Sequence, residues 1–97
     1  MRLRFTRRAI RDLADIAAYI REHDPSAAVR VRASILDSLK TIAAFPRVGR
    51  LQSVPRVRKL VTRKYPYLIY YSIDEATGEL AILAIRHSAQ ARGYTDL

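Results

Sequence analysis

Residues 67–86 read YLIYYSIDEATGELAILAIR and carry the strongest indication of the fold. Two runs rich in aromatic and aliphatic side chains, Tyr67 to Asp74 and Leu80 to Arg86, flank the short polar segment Glu75-Ala76-Thr77-Gly78. Such a short connection predicts two strands that are antiparallel neighbours. The run from Leu68 to Ile73 is apolar on both faces, which predicts a central strand.

Two further strands are predicted, one shortly before this stretch and one at the N-terminus. Arg58 to Lys64 has a period of two and ends at Tyr65-Pro66, so a third antiparallel strand is expected there. Pro46 to Pro55 contains Gly49 and no helical period, which predicts a connecting loop. Arg2-Leu3-Arg4-Phe5 alternates polar and apolar residues and predicts a short N-terminal strand.

Two helices are predicted between the N-terminal strand and this loop. The first is capped by Thr6 and runs to about Glu22, with apolar residues at steps of three and four. Asp24-Pro25 predicts a second start, a capping carboxylate followed by proline, and Pro46 ends that helix after Phe45. Because the link is short, the two helices should form an antiparallel hairpin.

The element order is therefore strand, two helices and three strands. This order predicts an α+β domain in which the helical hairpin packs on one face of a single sheet. A chain of 97 residues has the size of one ordinary domain, so residues 1–97 are expected to form a single domain.

The charge balance is strongly basic. Eighteen Lys and Arg residues against nine Asp and Glu residues give a formal charge of +9 and a pI near 10.7. Such a field attracts a polyanion or an acidic protein segment, and it favours a neutralising partner. The stretch from Ser38 to Ile73 has no acidic residue, and its basic residues are Lys40, Arg47, Arg50, Arg56, Arg58, Lys59, Arg63 and Lys64.

Composition also predicts what is absent. There is no cysteine, which excludes disulfides and thiolate metal sites, and two histidines alone do not make a standard zinc site, so neither a metal nor another cofactor is expected. The longest uncharged stretch, Tyr65 to Ile73, is much shorter than the roughly 20 residues of a membrane helix. We therefore expect a soluble cytoplasmic protein with no membrane contact.

Several motifs carry a resemblance to a known family. In chain order they are Ala9-x-x-Asp12-Leu13-x-x-Ile16-x-x-Tyr19, Phe45-Pro46-x-x-Gly49-Arg50, Arg58-x-Leu60, Tyr65-x-Tyr67-x-Ile69-x-Tyr71 and Ile82-Leu83-x-Ile85-x-His87. In this order and spacing the chain resembles the RelE/ParE toxins of bacterial type II toxin–antitoxin systems over nearly its whole length. The resemblance implies the RelE/ParE-like fold and an antitoxin whose flexible segment wraps the helices and the sheet.

The family divides by target. RelE-like members cut mRNA on the ribosome, whereas ParE-like members poison DNA gyrase. The long paired helices, the loop from Phe45 to Arg50, and Arg86-His87-Ser88 running into Ala91-Arg92 look more like the ParE branch. The resemblance therefore implies a non-enzymatic gyrase inhibitor that a ParD-like antitoxin neutralises in a hetero-oligomeric complex.

Two alternatives stay open. A ribosome-dependent mRNA endonuclease needs a cation for the phosphate, which Arg63 or Arg86 could supply, and an acid, which could be His87 or the more distant Tyr94. Its general base is missing, since no carboxylate lies on the strands before Asp74, and Lys59 or Lys64 would serve only if deprotonated. Charge alone also fits a non-toxic nucleic-acid-binding module.

Candidate binding residues follow from charge and from family position. The residues expected to bind the target are Arg58, Lys59, Arg63, Lys64, Arg86, His87 and Arg92. The residues expected to bind the antitoxin are Arg21, Arg30 and Arg32 on the outer face of the hairpin, together with Arg50. His87 could instead be a half-buried residue at the sheet edge. The four tyrosines Tyr65, Tyr67, Tyr70 and Tyr71 are expected to pack rather than to stack on bases.

Overall fold

A five-stranded sheet with a helical hairpin on one face forms the framework of the computed structural model, which describes residues 1–88. The elements are β1 Arg2–Phe5, α1 Arg7–His23, α2 Pro25–Ala44, β2 Arg50–Leu51, β3 Val57–Val61, β4 Tyr67–Asp74 and β5 Glu79–His87. The strand order in the sheet is β1-β5-β4-β3-β2. The predicted α+β architecture is confirmed.

Both helices start where the sequence predicts, but only α1 has the predicted side-chain cap. Thr6 Oγ1 accepts a hydrogen bond from the amide of Ala9 at 3.1 Å, which caps α1. Asp24 occupies the N-cap of α2, but its carboxylate accepts the hydroxyl of Ser26 at 2.8 Å and bonds no backbone amide of the helix. The expected carboxylate cap is therefore wrong, and Pro25 marks the start of α2 through its preset φ angle.

Three antiparallel neighbours, β3, β4 and β5, form the centre of the sheet, as predicted. β1 joins them at the edge as a parallel partner of β5, with Leu3 opposite Leu80. The ladder between β4 and β5 shifts register once, since Tyr70 lies opposite Ala84 and Tyr71 lies opposite Ile82. Leu83 is therefore an extra residue in β5, a β-bulge.

The sequence prediction is wrong at two places near β3. The segment predicted as loop contains the short edge strand β2, in which Arg50 lies opposite Lys59. The strand predicted to reach Lys64 ends at Val61, because the buried hydroxyl of Thr62 donates to the carbonyl of Tyr65 and accepts the amide of Tyr67. The backbone amide of Thr62 still donates to the carbonyl of Tyr67, at 2.9 Å, and the hydroxyl bonds close the turn beyond it.

Apolar side chains cover both faces of the central strands. The core on the helix side contains Ile20, Val31, Ile35, Leu39 and Ile42 from the helices and Tyr67, Ile69, Tyr71, Leu80, Ile82 and Ile85 from the strands. A smaller cluster on the opposite face contains Val57, Leu68, Tyr70 and Ala84. Tyr67, Tyr70 and Tyr71 are thus buried and Tyr65 packs against the core, which confirms the packing prediction for the tyrosines.

Within residues 1–88, neither helix is long and apolar enough to cross a membrane.

Candidate functional site

An apolar groove lies between the two helices of the hairpin, and Phe5 of β1 also lines it. Its volume is about 390 Å³. Its lining is almost entirely aliphatic or aromatic and comprises Phe5, Leu13, Ile16, Ala17, Ile20, Ala28, Val29, Val31, Ile35, Leu36 and Leu39, with Arg21 and Arg32. Val29 is 76% exposed and Leu36 is 40% exposed, so apolar surface is left open to solvent. A contiguous apolar concavity of this kind is typical of a protein-binding site.

Two arginines give the groove a charged rim. Arg21 comes from the last turn of α1 and Arg32 from α2, and both are exposed. Neither forms an ion pair among the residues that the structure describes. An arginine guanidinium binds a carboxylate through two parallel hydrogen bonds, so the rim is suited to acidic side chains beside an apolar segment.

The other two arginines predicted for the antitoxin lie elsewhere. Arg30 is two residues from Arg32, which turns it by about 200° around the helix axis, so the two face opposite sides of α2. The Nε of Arg30 donates to the hydroxyl of Tyr65 at 2.8 Å. Arg50 lies on β2 at the sheet edge. The four predicted residues therefore do not share one surface.

A second cleft lies between α2 and the turn after β3. Arg30, Arg63 and Lys64 contribute positive charge to it, and Asp37 contributes one carboxylate. Arg63 and Lys64 are exposed and follow the end of β3, so this turn, rather than a strand, positions them.

The sheet register places the other residues that are predicted to bind the target on two different faces of the sheet. Lys59 lies opposite Tyr70 and Arg86 lies opposite Leu68, which places both on the face away from the helices. His87 lies opposite Tyr67 on the helix side, where the two rings meet edge to face at 5.3 Å. Arg92 and the alternative acid Tyr94 lie outside the described residues.

This arrangement bears on the nuclease alternative. Arg86 and His87 are successive residues of β5 and so point to opposite faces of the sheet. Arg63, the other candidate cation, lies in the turn after β3. The described residues also hold no group of three or more His, Asp and Glu side chains placed to bind a metal ion.

A third concavity, of about 800 Å³, lies where the β4–β5 turn meets β1 and β3. Four arginines, Arg4, Arg47, Arg56 and Arg58, line it together with three acidic residues, Asp74, Glu75 and Glu79. Arg47 forms an ion pair with Glu75, and Arg4 lies 3.8 Å from Glu79. The three carboxylates offset most of the positive charge, which disfavours a polyanion in this concavity.

Arg58 and Tyr71 fasten the loop that follows α2. The Tyr71 hydroxyl donates to the carbonyl of Pro46 at 2.7 Å and accepts the amide of Gly49 at 2.8 Å. Arg58 Nη1 donates to the carbonyls of Arg47 and Gly49, at 3.1 and 2.8 Å. Arg58, expected to bind the target, thus has a structural role that the sequence analysis missed. In the sequence, Gly49 was the only feature that pointed to this role of Arg58.

Glycine is required at position 49 because the loop approaches the sheet closely. A Cβ atom there would lie 2.7 Å from the Tyr71 hydroxyl and 3.0 Å from the Lys59 carbonyl. Burial raises the pKa of Tyr71, although the Gly49 amide and the Arg58 charge act in the opposite direction. The hydroxyl therefore stays protonated at neutral pH, as its bond to the Pro46 carbonyl requires.

The comparison with protein families finds one model that matches nearly the whole chain. Residues 3–92 match the family described as the ParE toxin of type II toxin–antitoxin systems, parDE. In sequence, the chain is 39% identical to the protein Y4kP of Sinorhizobium fredii over 89 residues, which are 92% of this chain and 90% of that protein. It is 36% identical to the toxin RelE2 of Caulobacter vibrioides over 86 residues, 89% of this chain and 93% of RelE2.

Solved structures share the fold. The chromosomal ParDE toxin–antitoxin system of P. aeruginosa contains a chain that matches with a TM-score of 0.76 and 28% identity, covering 90% of this chain and 95% of that one. The intact RelBE toxin–antitoxin complex of E. coli contains a chain that matches with a TM-score of 0.66 over 90% of this chain and 95% of that one. At 18% identity, this second match shows the fold alone.

Proposed function

Because the chain belongs to the ParE toxin family of type II toxin–antitoxin systems, we propose that it is a toxin that inhibits DNA gyrase and is neutralised by a ParD-like antitoxin. The apolar groove between α1 and α2, with Arg21 and Arg32 on its rim, is the observation that carries the antitoxin part of this proposal. We further propose that the protein acts in the cytoplasm, as a single domain.

The groove fits an amphipathic helix of the antitoxin. Such a helix would place apolar side chains at steps of three and four against Ile16, Ile35 and Leu36, and carboxylates beside Arg21 and Arg32. Burying the exposed parts of Val29 and Leu36 supplies a hydrophobic contribution, and the arginines fix orientation and partner choice. A toxin with a charge of +9 also gains from an acidic partner by mutual neutralisation.

The choice of gyrase rests on the family model and on the arrangement of β5. The family match is to ParE, and the ParDE chain of P. aeruginosa is more similar in sequence, at 28%, than the RelBE chain, at 18%. Arg86 and His87 lie on opposite faces of the sheet, so a nuclease that used Arg86 as its cation and His87 as its acid would not have both at one scissile bond. General acid catalysis requires the acid within hydrogen-bonding reach of the leaving oxygen.

A second candidate function is the RelE-like cleavage of mRNA on the ribosome. The relative named toxin RelE2, at 36% identity, favours it. The face of the sheet away from the helices also favours it, because Lys59 and Arg86 could both contact phosphates of a single RNA strand there. The third possibility, a harmless nucleic-acid-binding module, has only the basic charge in its support.

Induced expression in bacteria separates the three functions. A gyrase inhibitor should arrest growth, relax plasmid DNA and leave mRNA 3′ ends unchanged, and co-expression of the adjoining antitoxin reading frame should restore growth. Growth arrest with new mRNA 3′ ends and unchanged plasmid supercoiling would establish the ribonuclease instead. Normal growth on full induction would favour the non-toxic module.

A further inference from the structure

The cleft between α2 and the turn after β3 lies apart from the groove proposed for the antitoxin. We call it the α2–turn cleft. Its volume is about 560 Å³, which is within the range of small-molecule sites. Arg30, Arg63 and Lys64 line it, and none of them forms an ion pair within residues 1–88. Three cations against one carboxylate, Asp37, leave an excess of positive charge in one concavity, which attracts an anion.

A hydrogen bond between α2 and the turn holds two donors of the cleft in place. Arg30 Nε donates to the hydroxyl of Tyr65 at 2.8 Å. An arginine has five N–H donors, and a hydroxyl that accepts one bond keeps its own proton. The Nη groups of Arg30 and the hydroxyl proton of Tyr65 therefore stay available to a ligand, and both side chains line the cleft.

A buried hydroxyl without a partner also lines the cleft. Ser38 is 7% exposed, yet its hydroxyl forms no hydrogen bond within residues 1–88. A helical serine or threonine commonly donates to the carbonyl four residues before it, as Thr41 does to Asp37 at 3.0 Å. Since buried polar groups are nearly always bonded, the Ser38 hydroxyl is a donor that a ligand in the cleft would satisfy.

The number of donors selects a phosphate over a carboxylate. Besides its three cations, the cleft offers the hydroxyls of Ser38 and Tyr65. A carboxylate has two acceptor oxygens, whereas a phosphate monoester has three and a charge of about −1.5 to −2. A phosphate therefore matches these donors better than an acidic side chain of the antitoxin does. An antitoxin helix in the groove also leaves the cleft open, because Arg30 and Arg32 face opposite sides of α2.

The other lining residues indicate what carries the phosphate. Leu60 and Val61 give the cleft an apolar wall, and Val61 is 50% exposed. Asp37 is exposed and repels a phosphate, but its carboxylate accepts hydrogen bonds from hydroxyl or amino groups. A cationic end, an acceptor and an apolar wall together match the phosphate, sugar and base of one nucleotide. A nucleic-acid strand is disfavoured, because it follows an open track of cations rather than a cleft that also holds a carboxylate.

We propose that the α2–turn cleft binds a nucleoside monophosphate. Arg30, Arg63 and Lys64 hold the phosphate, and the buried hydroxyl of Ser38 donates to one of its oxygens. Asp37 accepts a hydrogen bond from the sugar, and the base packs on the apolar wall. The inference goes beyond the proposed function, because it requires neither gyrase nor an antitoxin.

The test is isothermal titration calorimetry of AMP into the purified toxin. The cleft variant carries Arg63→Gln with Lys64→Gln. Its matched control carries Arg50→Gln with Lys40→Gln, which also replaces one arginine and one lysine, at exposed positions that line none of the three concavities. Adenosine, inorganic phosphate and a single-stranded RNA oligonucleotide are titrated as separate probes, and circular dichroism verifies the fold of each variant.

AMP should bind at one site, and more tightly than adenosine or inorganic phosphate does. The cleft variant should bind AMP at least about tenfold more weakly, because the phosphate loses two charge-assisted partners, and the control should stay within about threefold of the wild type. Equal weakening in the two variants overturns the proposal, since net charge alone would then explain the binding. The absence of saturable AMP binding overturns it too, as does inorganic phosphate that binds as tightly as AMP.

Ser38→Ala separates a ligand-binding role from a structural one. Because the hydroxyl has no partner among residues 1–88, its removal should leave the thermal stability of the free protein unchanged, and it should weaken AMP binding by about two- to tenfold. A lower stability together with an unchanged AMP affinity would contradict the role given to Ser38.

Two further outcomes would identify a different occupant of the cleft. If the wild type binds the oligonucleotide but not AMP, and the cleft variant binds neither, the cleft serves a strand and the proposal fails. Competition between AMP and the antitoxin from the adjoining reading frame would assign the cleft to the antitoxin and overturn the proposal as well. None of these results bears on gyrase inhibition, which growth and supercoiling measure separately.

Discussion

The carboxylate Oδ2 of Asp12 accepts a hydrogen bond from the backbone amide of Ile85 at 2.9 Å. β1 pairs with β5 only as far as Ile82, so beyond that residue α1 replaces β1 along this edge of β5. The β-bulge at Leu83 lies at the same point, and the N-cap hydroxyl of Thr6 also contacts the carbonyls of Ile82 and Leu83. Asp12 thus joins the helical hairpin to the central sheet.

Removing this carboxylate should destabilise the fold. Asp12→Ala leaves the partly buried amide of Ile85 without its partner, which should lower the free energy of unfolding by about 1–3 kcal/mol. Asp12→Asn keeps an acceptor oxygen and should lose less. Denaturation in urea measures both, with Asp15→Ala, an exposed residue of the same helix, as the control. Equal stabilities for Asp12→Ala and Asp15→Ala would contradict the assigned role.

The close approach of Gly49 to Tyr71 predicts a coupled pair of substitutions. Gly49→Ala places a Cβ atom 2.7 Å from the Tyr71 hydroxyl and should lower the free energy of unfolding by about 1–3 kcal/mol. Tyr71→Phe removes that oxygen and should itself destabilise the loop by leaving Pro46 and Gly49 unpaired. Gly49→Ala should then be somewhat less destabilising in the Tyr71→Phe background than in the wild type, although the ring carbon Cε1, 2.8 Å from the same Cβ position, stays in place. Strict additivity of the two effects would argue against this contact.

The buried tyrosines predict how stability changes at alkaline pH. Burial raises the pKa of Tyr71, and burial together with the nearby Tyr19 raises the pKa of Tyr67, from the ordinary value of 10.0. Above pH 10 these two tyrosines therefore ionise in the unfolded chain while they stay protonated in the folded chain. The stability that is present below pH 10 is lost as the pH rises through the pKa values that the tyrosines have in the folded state.

Thermal unfolding between pH 9 and pH 11, with absorbance at 295 nm to follow tyrosinate, measures this effect. Tyr67→Phe should reduce the alkaline loss of stability, whereas the exposed Tyr19→Phe should reduce it less. A stability that rises above pH 10 would contradict the direction of both shifts.

The groove predicts a substitution that weakens antitoxin binding. Leu36→Glu places a charge within the apolar lining and should weaken antitoxin binding at least tenfold, by about 1.4 kcal/mol or more. Ala14→Glu is a matched control, because it makes a similar charge change at an exposed helical position, on α1, that lines neither the groove nor the other two clefts. Isothermal titration calorimetry with the antitoxin gives both affinities. Equal weakening by the two variants would mean that charge alone, rather than the groove, determines the affinity.

Much of the framework could be predicted from local sequence patterns. β4 was predicted with its observed bounds, Tyr67 to Asp74, because an apolar run between strong turn signals has little alternative. β2 was missed since two residues carry no periodicity, and β3 was predicted too long since the hydrogen bonds of Thr62 are specific to the folded turn. The edge position of β1 follows from a pairing 77 residues away, between Arg2 and Glu79, which local patterns do not encode.

The candidate site was less predictable than the fold. The opposite directions of Arg30 and Arg32 could have been found from their spacing of two on a helix. The groove could not have been predicted, because apolar spacing predicts which side chains lie on one face of a helix but not that Val29 and Leu36 stay exposed. The role of Arg58 depends on carbonyls of a loop that the sequence leaves undefined.

Titration of purified toxin into a DNA gyrase supercoiling reaction tests gyrase inhibition directly. A gyrase inhibitor should stop supercoiling and make cleaved DNA bound to gyrase accumulate, and prior addition of the antitoxin should prevent both effects. Unimpaired supercoiling at a large molar excess of correctly folded toxin, with no cleaved DNA, would contradict gyrase inhibition.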